Sequence, residues 1–285
     1  MSEDLHVVVQ QCDAALGNPD ANRARIEELV SESRDSALVV FPELALTGYS
    51  VRDGAGDLAI TLDGGCPLDL PPEGPAVAVG LVERGGDQLV YNSAAVYRGQ
   101  ELLHSHRKVY LPTYGIFEEG LFFAPGRSAV APFSLAPGWR VGVLVCEDFW
   151  HPALSYLLAV QEIDLLLVLS AAPGRGASQT ADGEVVFAST EPWEQMARTT
   201  ALQYGVFLIL CNRAGVEGDI TFAGGSMVVG PEGQVLASAP QGKTATVDVT
   251  LEWDRIRQAR HPFSHLRDED PARLRAELDR LLREG

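Results

Sequence analysis

A thiol, a carboxylate and an ammonium each stand just past a short apolar run in this chain. Cys146 follows Val141-Gly142-Val143-Leu144-Val145, Glu43 follows Ala37-Leu38-Val39-Val40-Phe41 and Pro42, and Lys108 follows Leu102-Leu103-His104-Ser105-His106-Arg107. Together they form a complete set for acyl transfer. A thiolate adds to a C=O or C≡N carbon, a carboxylate accepts the proton, and a fixed positive charge holds the oxyanion that develops. A free thiol with a pKa of about 8.5 is little ionised at neutral pH, so a nearby base is required. On this reading Glu43→Gln should slow alkylation of Cys146. Taken singly, each residue has a plainer reading: Cys146 as a small buried hydrophobe, Glu43 and Lys108 as solvated loop residues.

The elements that must position these groups read as strands alternating with helices. The Cys146 run has the pattern of a strand buried on both faces, and in open α/β sheets chemistry gathers where such strands end. His151-Pro152 opens an apolar-periodic helix; its N-terminus would favour thiolate at Cys146, while the adjacent Glu147 and Asp148 would oppose it. Strands are expected near 5–11, 37–41, 77–82, 88–97 and 101–106, with Gly99 in the last hairpin turn, and a helix over 19–34. The second half predicts strands over Asp164–Ser170, Val206–Cys211, 221–229, 234–239 and 243–249, a helix over Glu191–Tyr204, and a charged helix from about Pro271. Hairpins mixed with crossovers fit two packed sheets with helices outside.

Three segments, "VVFPELALTGYS", "HRKVYLPTYGIFEEGLFFAPG" and "VGVLVCEDFWHP", resemble the nitrilase superfamily of carbon-nitrogen hydrolases, and most nearly the glutaminase domain of glutamine-dependent NAD synthetase. The tail "TFAGGSMVVGPEGQVLA" is similar too, so the resemblance runs from about Leu5 to the C-terminal region. It implies an α/β fold, the four-layer α-β-β-α sandwich, and a catalytic triad of Glu43, Lys108 and Cys146. Glu119 would be the second glutamate that helps to place lysine and substrate. Tyr49, Tyr114 and Trp150 stand at pocket-lining positions, and Glu147 joins them as a substrate contact. Where the glutaminases resemble S-A-S-P followed by an arginine, this chain reads Ser170-Ala171-Ala172-Pro173-Gly174-Arg175. Arg175 could still meet a carboxylate, but Ala172 lacks the hydroxyl, and Leu121 replaces a usual arginine. The segment between Tyr49 and Val77 offers at most a short helix where the family has a substantial one.

Composition bounds the partners. A formal charge of −17 over 285 residues argues against nucleic acid and anionic membranes. Without a signal segment or long apolar stretch, a cytoplasmic location is expected. Cys12, Cys66, Cys146 and Cys211 form no CxxC pair and read as free thiols. His104 with His106, and His261 with His265, lack a third ligand at metal-site spacing, so no metal and no cofactor are expected. No SGGxDS-like or GxxxxGK[ST] phosphate loop appears. One domain over 1–285 is expected, with 250–285 as an extension available for dimer contacts; the resemblance implies a homodimer or larger homo-oligomer. The function expected is hydrolysis of a small carboxamide. A glutaminase subunit serving a separate synthetase, an N-carbamoyl amide hydrolase, a nitrilase and a non-enzymatic regulatory protein are the alternatives.

Overall fold

The computed structural model describes residues 3–261 and 265–284. Sixteen strands and seven α-helices occur among them. The strands are β1 (Leu5–Gln11), β2 (Leu38–Val40), β3 (Ala76–Arg84), β4 (Val90–Arg98), β5 (Glu101–Arg107), β6 (Phe133–Ala136), β7 (Trp139–Val145), β8 (Leu165–Ser170), β9 (Ala177–Gln179), β10 (Val185–Phe187), β11 (Phe207–Asn212), β12 (Ala214–Glu217), β13 (Ile220–Ala223), β14 (Met227–Val229), β15 (Val235–Ser238) and β16 (Ala245–Leu251). The helices are α1 (Pro19–Glu32), α2 (Ala55–Leu58), α3 (Glu119–Phe122), α4 (Pro152–Ala159), α5 (Thr190–Tyr204), α6 (Trp253–Arg260) and α7 (Pro271–Glu284).

Two six-stranded mixed sheets result, in the orders β16-β1-β2-β3-β4-β5 and β15-β14-β11-β8-β7-β6. Alternation along β1 sorts its side chains. Val7 and Val9 join Leu38, Val40, Ala78 and Val96 in a core shared with Val141, Val143 and Leu167 of the second sheet. Val8 faces the other way, with Val39, Val77 and Val79, onto Ile26, Leu29 and Val30 of α1. On the far side α4 lays Leu158 onto the bare backbone of Gly142, and α5 adds Trp193, Ala197 and Ala201. The layers are helix, sheet, sheet, helix, the α-β-β-α sandwich.

Local chemistry sets the element ends. Pro19 opens α1 and Asn18 caps it, its side chain accepting from Ala21 N at 3.2 Å. The strand expected over 221–229 is two strands, broken where Gly224 and Gly225 take φ of 64° and 71°. Gly99 does make the β4–β5 turn, at φ 52°. The segment between Tyr49 and β3 holds only the four-residue α2 and two 3₁₀ turns. Short β6, β9, β10 and β12, and helix α6, lacked a clear periodic signal.

The expected C-terminal extension, 250–285, is less separate than its sequence suggests, although 262–264 and 285 lie outside the described residues. Thr250 and Leu251 complete β16, paired antiparallel with His6 and Leu5 of β1. Arg260 of α6 is tied to Asp164 at 3.1 Å and to Gly205 O at 3.0 Å. Only α7 stands clear, with Leu274, Leu278, Leu281 and Leu282 exposed. Among the described residues no helix is long and apolar enough to cross a membrane.

Candidate active site

The carboxyl ends of β2, β5, β7 and β8 converge on one buried cluster. Pro42 ends the β2 segment and the chain turns, with Leu44 at φ 51°, so that Glu43 points inward and exposes no surface. The turn can lie flat on β3 because residue 80 is glycine: a Cβ there would be 2.3 Å from Leu44 N and 2.5 Å from Pro42 O. Lys108 leaves β5 in the same way. A Cβ on Gly126, whose N–H donates to Lys108 O at 2.8 Å, would sit 2.3 Å from Arg107 O.

Lys108 Nζ donates to Glu43 Oε1 at 2.8 Å and to Glu119 Oε1 at 2.7 Å. Glu119 Oε2 is equally near, at 2.7 Å, but is out of line and accepts no hydrogen bond. Asn92 Nδ2 also donates to Glu43 Oε1, at 2.8 Å, and Ala171 N to Oε2, at 2.8 Å. Tyr49 Oη donates to Glu119 Oε1. Burial presses the Lys108 pKa down, but the carboxylates of Glu119 and Glu43 outweigh it and hold the ammonium above the ordinary lysine range. Burial pushes Glu119 up, against the pull of Lys108.

Cys146 begins a 3₁₀ turn that runs to Trp150, with α4 following from Pro152. Its φ of 46° is left-handed, a strained conformation for a residue with a side chain. The Ser170 hydroxyl donates to Sγ at 3.4 Å. Burial and the Glu43 carboxylate push the thiol well above its ordinary range, and Lys108 pulls it down. The sequence reading set Glu147 and Asp148 against the thiolate, but the carboxylates that press most on Cys146 are Glu43 and Glu119. Asp148 is fully buried and its oxygens are taken by His106 and by backbone N–H groups of Val109 and Tyr110.

The substrate-contact candidates fall into separate groups. Tyr114, 56% exposed, donates its hydroxyl to Glu147 at 2.9 Å, and burial with this carboxylate pushes its pKa up to about 12. Arg175 reaches the same region, its guanidinium 5.9 Å from the centre of the Phe117 ring, which packs edge-on to Tyr114 at 5.4 Å. Trp150, 43% exposed, sits edge-on to Trp193 at 5.4 Å, its one aromatic contact among the described residues. Ala172 is buried, its N–H donated to Asn212 at 2.8 Å. Tyr49 belongs with Glu119 rather than with the rim. His104 lies stacked on Phe133, and burial pushes it down to about 4.

Three supporting residues had escaped the sequence reading, Asn92, Arg213 and Glu217, and Asp148 had been given a different role. Buried Arg213 donates to Glu217 at 2.7 Å, and the Glu217 carboxylate accepts from Tyr49 N at 3.0 Å and Ser50 N at 2.7 Å. That pins the loop carrying Tyr49. A polar residue inside an apolar strand, as Asn92 is in "VYNSAAV", was the one available signal.

Comparison with known proteins bears on this arrangement. The family model for carbon-nitrogen hydrolases matches residues 7–261. Glutamine-dependent NAD(+) synthetase of Thermotoga maritima is 32% identical over 259 residues, 88% of this chain but 42% of that protein. The chain thus spans less than half the length of that relative. A nitrilase of Pyrococcus abyssi is 27% identical over 284 residues, 93% of this chain and 98% of its own. The structure of a glutamate-to-glutamine mutant of the amidase from Nesterenkonia sp. AN1, with the acetamide moiety of fluoroacetamide added covalently at its active-site cysteine, superposes with a TM-score of 0.75 at 25% identity, covering 98% of this chain and 96% of that one. With the family model spanning nearly all of the sandwich, this chain is an enzyme of the carbon-nitrogen hydrolase family.

Proposed function

We propose that this enzyme hydrolyses the amide of a small carboxamide, releasing ammonia through a thioester on Cys146. The observation that carries the reading is the sealed Glu43–Lys108–Glu119 network beside a strained thiol. Sγ attacks the carbonyl carbon while the thiol proton passes to Glu43. An ammonium has three N–H groups; Glu43 and Glu119 engage two on Lys108, which leaves the third for the oxyanion. Collapse returns the proton from Glu43 to the departing nitrogen, and ammonia leaves. Water, deprotonated by Glu43, then attacks the thioester; the acid departs and the thiol is restored.

The similar amidase, whose cysteine is alkylated by the acetamide moiety of fluoroacetamide, supports a nucleophilic cysteine at this place in the fold, and the nitrilase and the NAD synthetase keep nitriles and glutamine in view as substrates. Ala172 favours a simple amide over glutamine, because it offers no hydroxyl to the amino-acid end. A screen of aliphatic amides, N-carbamoyl compounds, nitriles and glutamine, read by ammonia release with the Cys146→Ala protein as blank, tests the proposal. Turnover of amides above the blank supports it. Ammonia from nitriles or carbamoyl compounds alone would replace it, and none from any class would remove it.

A further inference from the structure

Asp148 lies two residues beyond Cys146, takes no part in the chemistry proposed above, and yet exposes no surface. Its Oδ1 accepts from the backbone N–H of Val109 and of Tyr110, both at 2.9 Å. Its Oδ2 accepts from His106 Nε2 at 2.8 Å and, more loosely, from Val145 N at 3.3 Å. These donors bracket two other residues. His106, Val109 and Tyr110 flank Lys108; Val145 directly precedes Cys146. The backbone of Lys108 itself is held by Asn92 O and Gly126 N at 2.8 Å each, and beyond it the next two N–H groups depend on Asp148. Both groups are part-buried, and left unpaired each would bear a share of the cost of its desolvation.

We infer that Asp148 is a positioning residue: one carboxylate clamps the lysine-bearing turn to the nucleophile-bearing turn and so fixes the distance from Lys108 to Cys146. Its importance for turnover rests on the hydrolase reading, but the clamp itself can be tested without a substrate. The thiol is faced by Lys108 from the end of β5, by Glu43 from the end of β2, by Glu119 from α3, and by the hydroxyls of Ser170, Tyr49 and Tyr114. A substitution at 148 leaves all of these in the chain, and losing the Asp148 carboxylate itself would only ease ionisation of the thiol, so a rise in the pH at which the thiol reacts reports movement of the charges, chiefly of Lys108.

The experiment compares Asp148→Ala with Asp148→Asn. Each is alkylated with iodoacetamide across a pH series, well below its unfolding midpoint. Asn keeps one oxygen for the paired N–H groups of Val109 and Tyr110, and its NH₂ can donate to His106 in the other tautomer. Alkylation of the Ala variant should rise at a higher pH than in the wild type, with a rate at pH 7 lower by about tenfold, the effect of one unit in thiol pKa. Asn should stay within about threefold of wild type, since it loses only the weak bond to Val145. With an amide substrate, Ala should lower kcat by on the order of 10²-fold, with KM little changed. An Ala variant with the wild-type alkylation profile, or an Asn variant as impaired as Ala, overturns the clamp. If Ala does not fold, amide hydrogen exchange in the wild type decides: Val109 and Tyr110 protected like β5 support the inference, and exchange at loop rates overturns it.

Discussion

Glu43 and Lys108 form a fully buried ion pair, Nζ 2.8 Å from Oε1, and neither side chain exposes any surface. Glu119 shares the same ammonium, so with a neutral thiol the cluster carries one surplus negative charge. Ionising Cys146 as well would put a second one into a low-dielectric space. On the mechanism proposed, the proton therefore moves to Glu43 as the sulfur of a neutral thiol attacks.

Cys146→Ala should abolish turnover. Intact-mass and peptide analysis after a slow amide or fluoroacetamide should find the adduct on Cys146 and on none of Cys12, Cys66 or Cys211. The neighbouring groups explain the contrast: Cys146 faces Glu43 and the Lys108 ammonium, whereas burial pushes the Cys12 thiol up to about 12 against the pull of Arg213. An active Ala variant would end the proposal.

Glu43→Gln separates turnover from thiol reactivity. A simple proton-acceptor reading expects slower alkylation, but the buried geometry reverses the sign. Burial raises the thiol pKa most and the Glu43 charge adds to it, so removing that charge with Lys108 in place should ease ionisation of the thiol. Alkylation at pH 7 should quicken while amide turnover collapses, because no group then carries the proton to the departing nitrogen. Slower alkylation in a folded variant would show that Glu43 does not face the thiol as described.

Lys108→Met should lower kcat by at least ~10²- to 10³-fold, the loss typical of one oxyanion donor. It should also move alkylation of Cys146 to higher pH, since the cation that pulls the thiol down is gone. A kcat within tenfold of wild type would leave Lys108 a structural role only.

Ala172→Ser should raise kcat/KM for glutamine relative to a short aliphatic amide, as a restored hydrogen bond to a buried polar group discriminates by a few kcal/mol, roughly 10²-fold or more. Steady-state kinetics on both substrates in both proteins decide the matter. A wild-type enzyme that already prefers glutamine would favour the reading as an ammonia-supplying glutaminase.

Glu217→Gln tests the support beneath Tyr49. Arg213 would keep Asp13 at 2.8 Å and Ala14 O at 2.7 Å but lose its buried partner, and breaking such a pair costs about 3–5 kcal/mol, measured here by urea unfolding. Burial raises the Glu217 pKa, but Arg213 and the bonds from Ser50 outweigh it and hold the carboxyl below the ordinary glutamate range. A depressed folded pKa stabilises fully above the unfolded value, and that stability is lost as pH falls through the folded one. The gap between wild type and Gln should thus be widest at neutral pH and shrink on acidification below about pH 4. A gap constant with pH would exclude the ion pair as its source.

Glu43, Lys108 and Cys146, the residues proposed to carry the chemistry, were legible as candidates because each stands just past an apolar run, and buried strands announce themselves by composition. Helix α1 and strands β1, β3, β4, β5, β7, β8 and β11 followed from periodicity for the same reason. What escaped was whatever acts across the fold. Asn92 reaches Glu43 from a strand 49 positions away in sequence, and Glu217 reaches Tyr49 across 168. Asp148 was read as a neighbour of the thiol because they are close in sequence, whereas its side chain serves the turn after β5. The strand over 221–229 was drawn through two glycines whose left-handed backbone breaks it.

Gly80 and Gly126 have a bearing on any attempt to transplant this site. Glu43, Lys108 and Cys146 could be grafted onto another sandwich with their side chains intact, and the graft would still fail if the recipient carried a single methyl group at either position, because the turns that present Glu43 and Lys108 lie against bare backbone. The heritable unit of this site is thus larger than its reacting groups. It includes two places where the chain must have nothing.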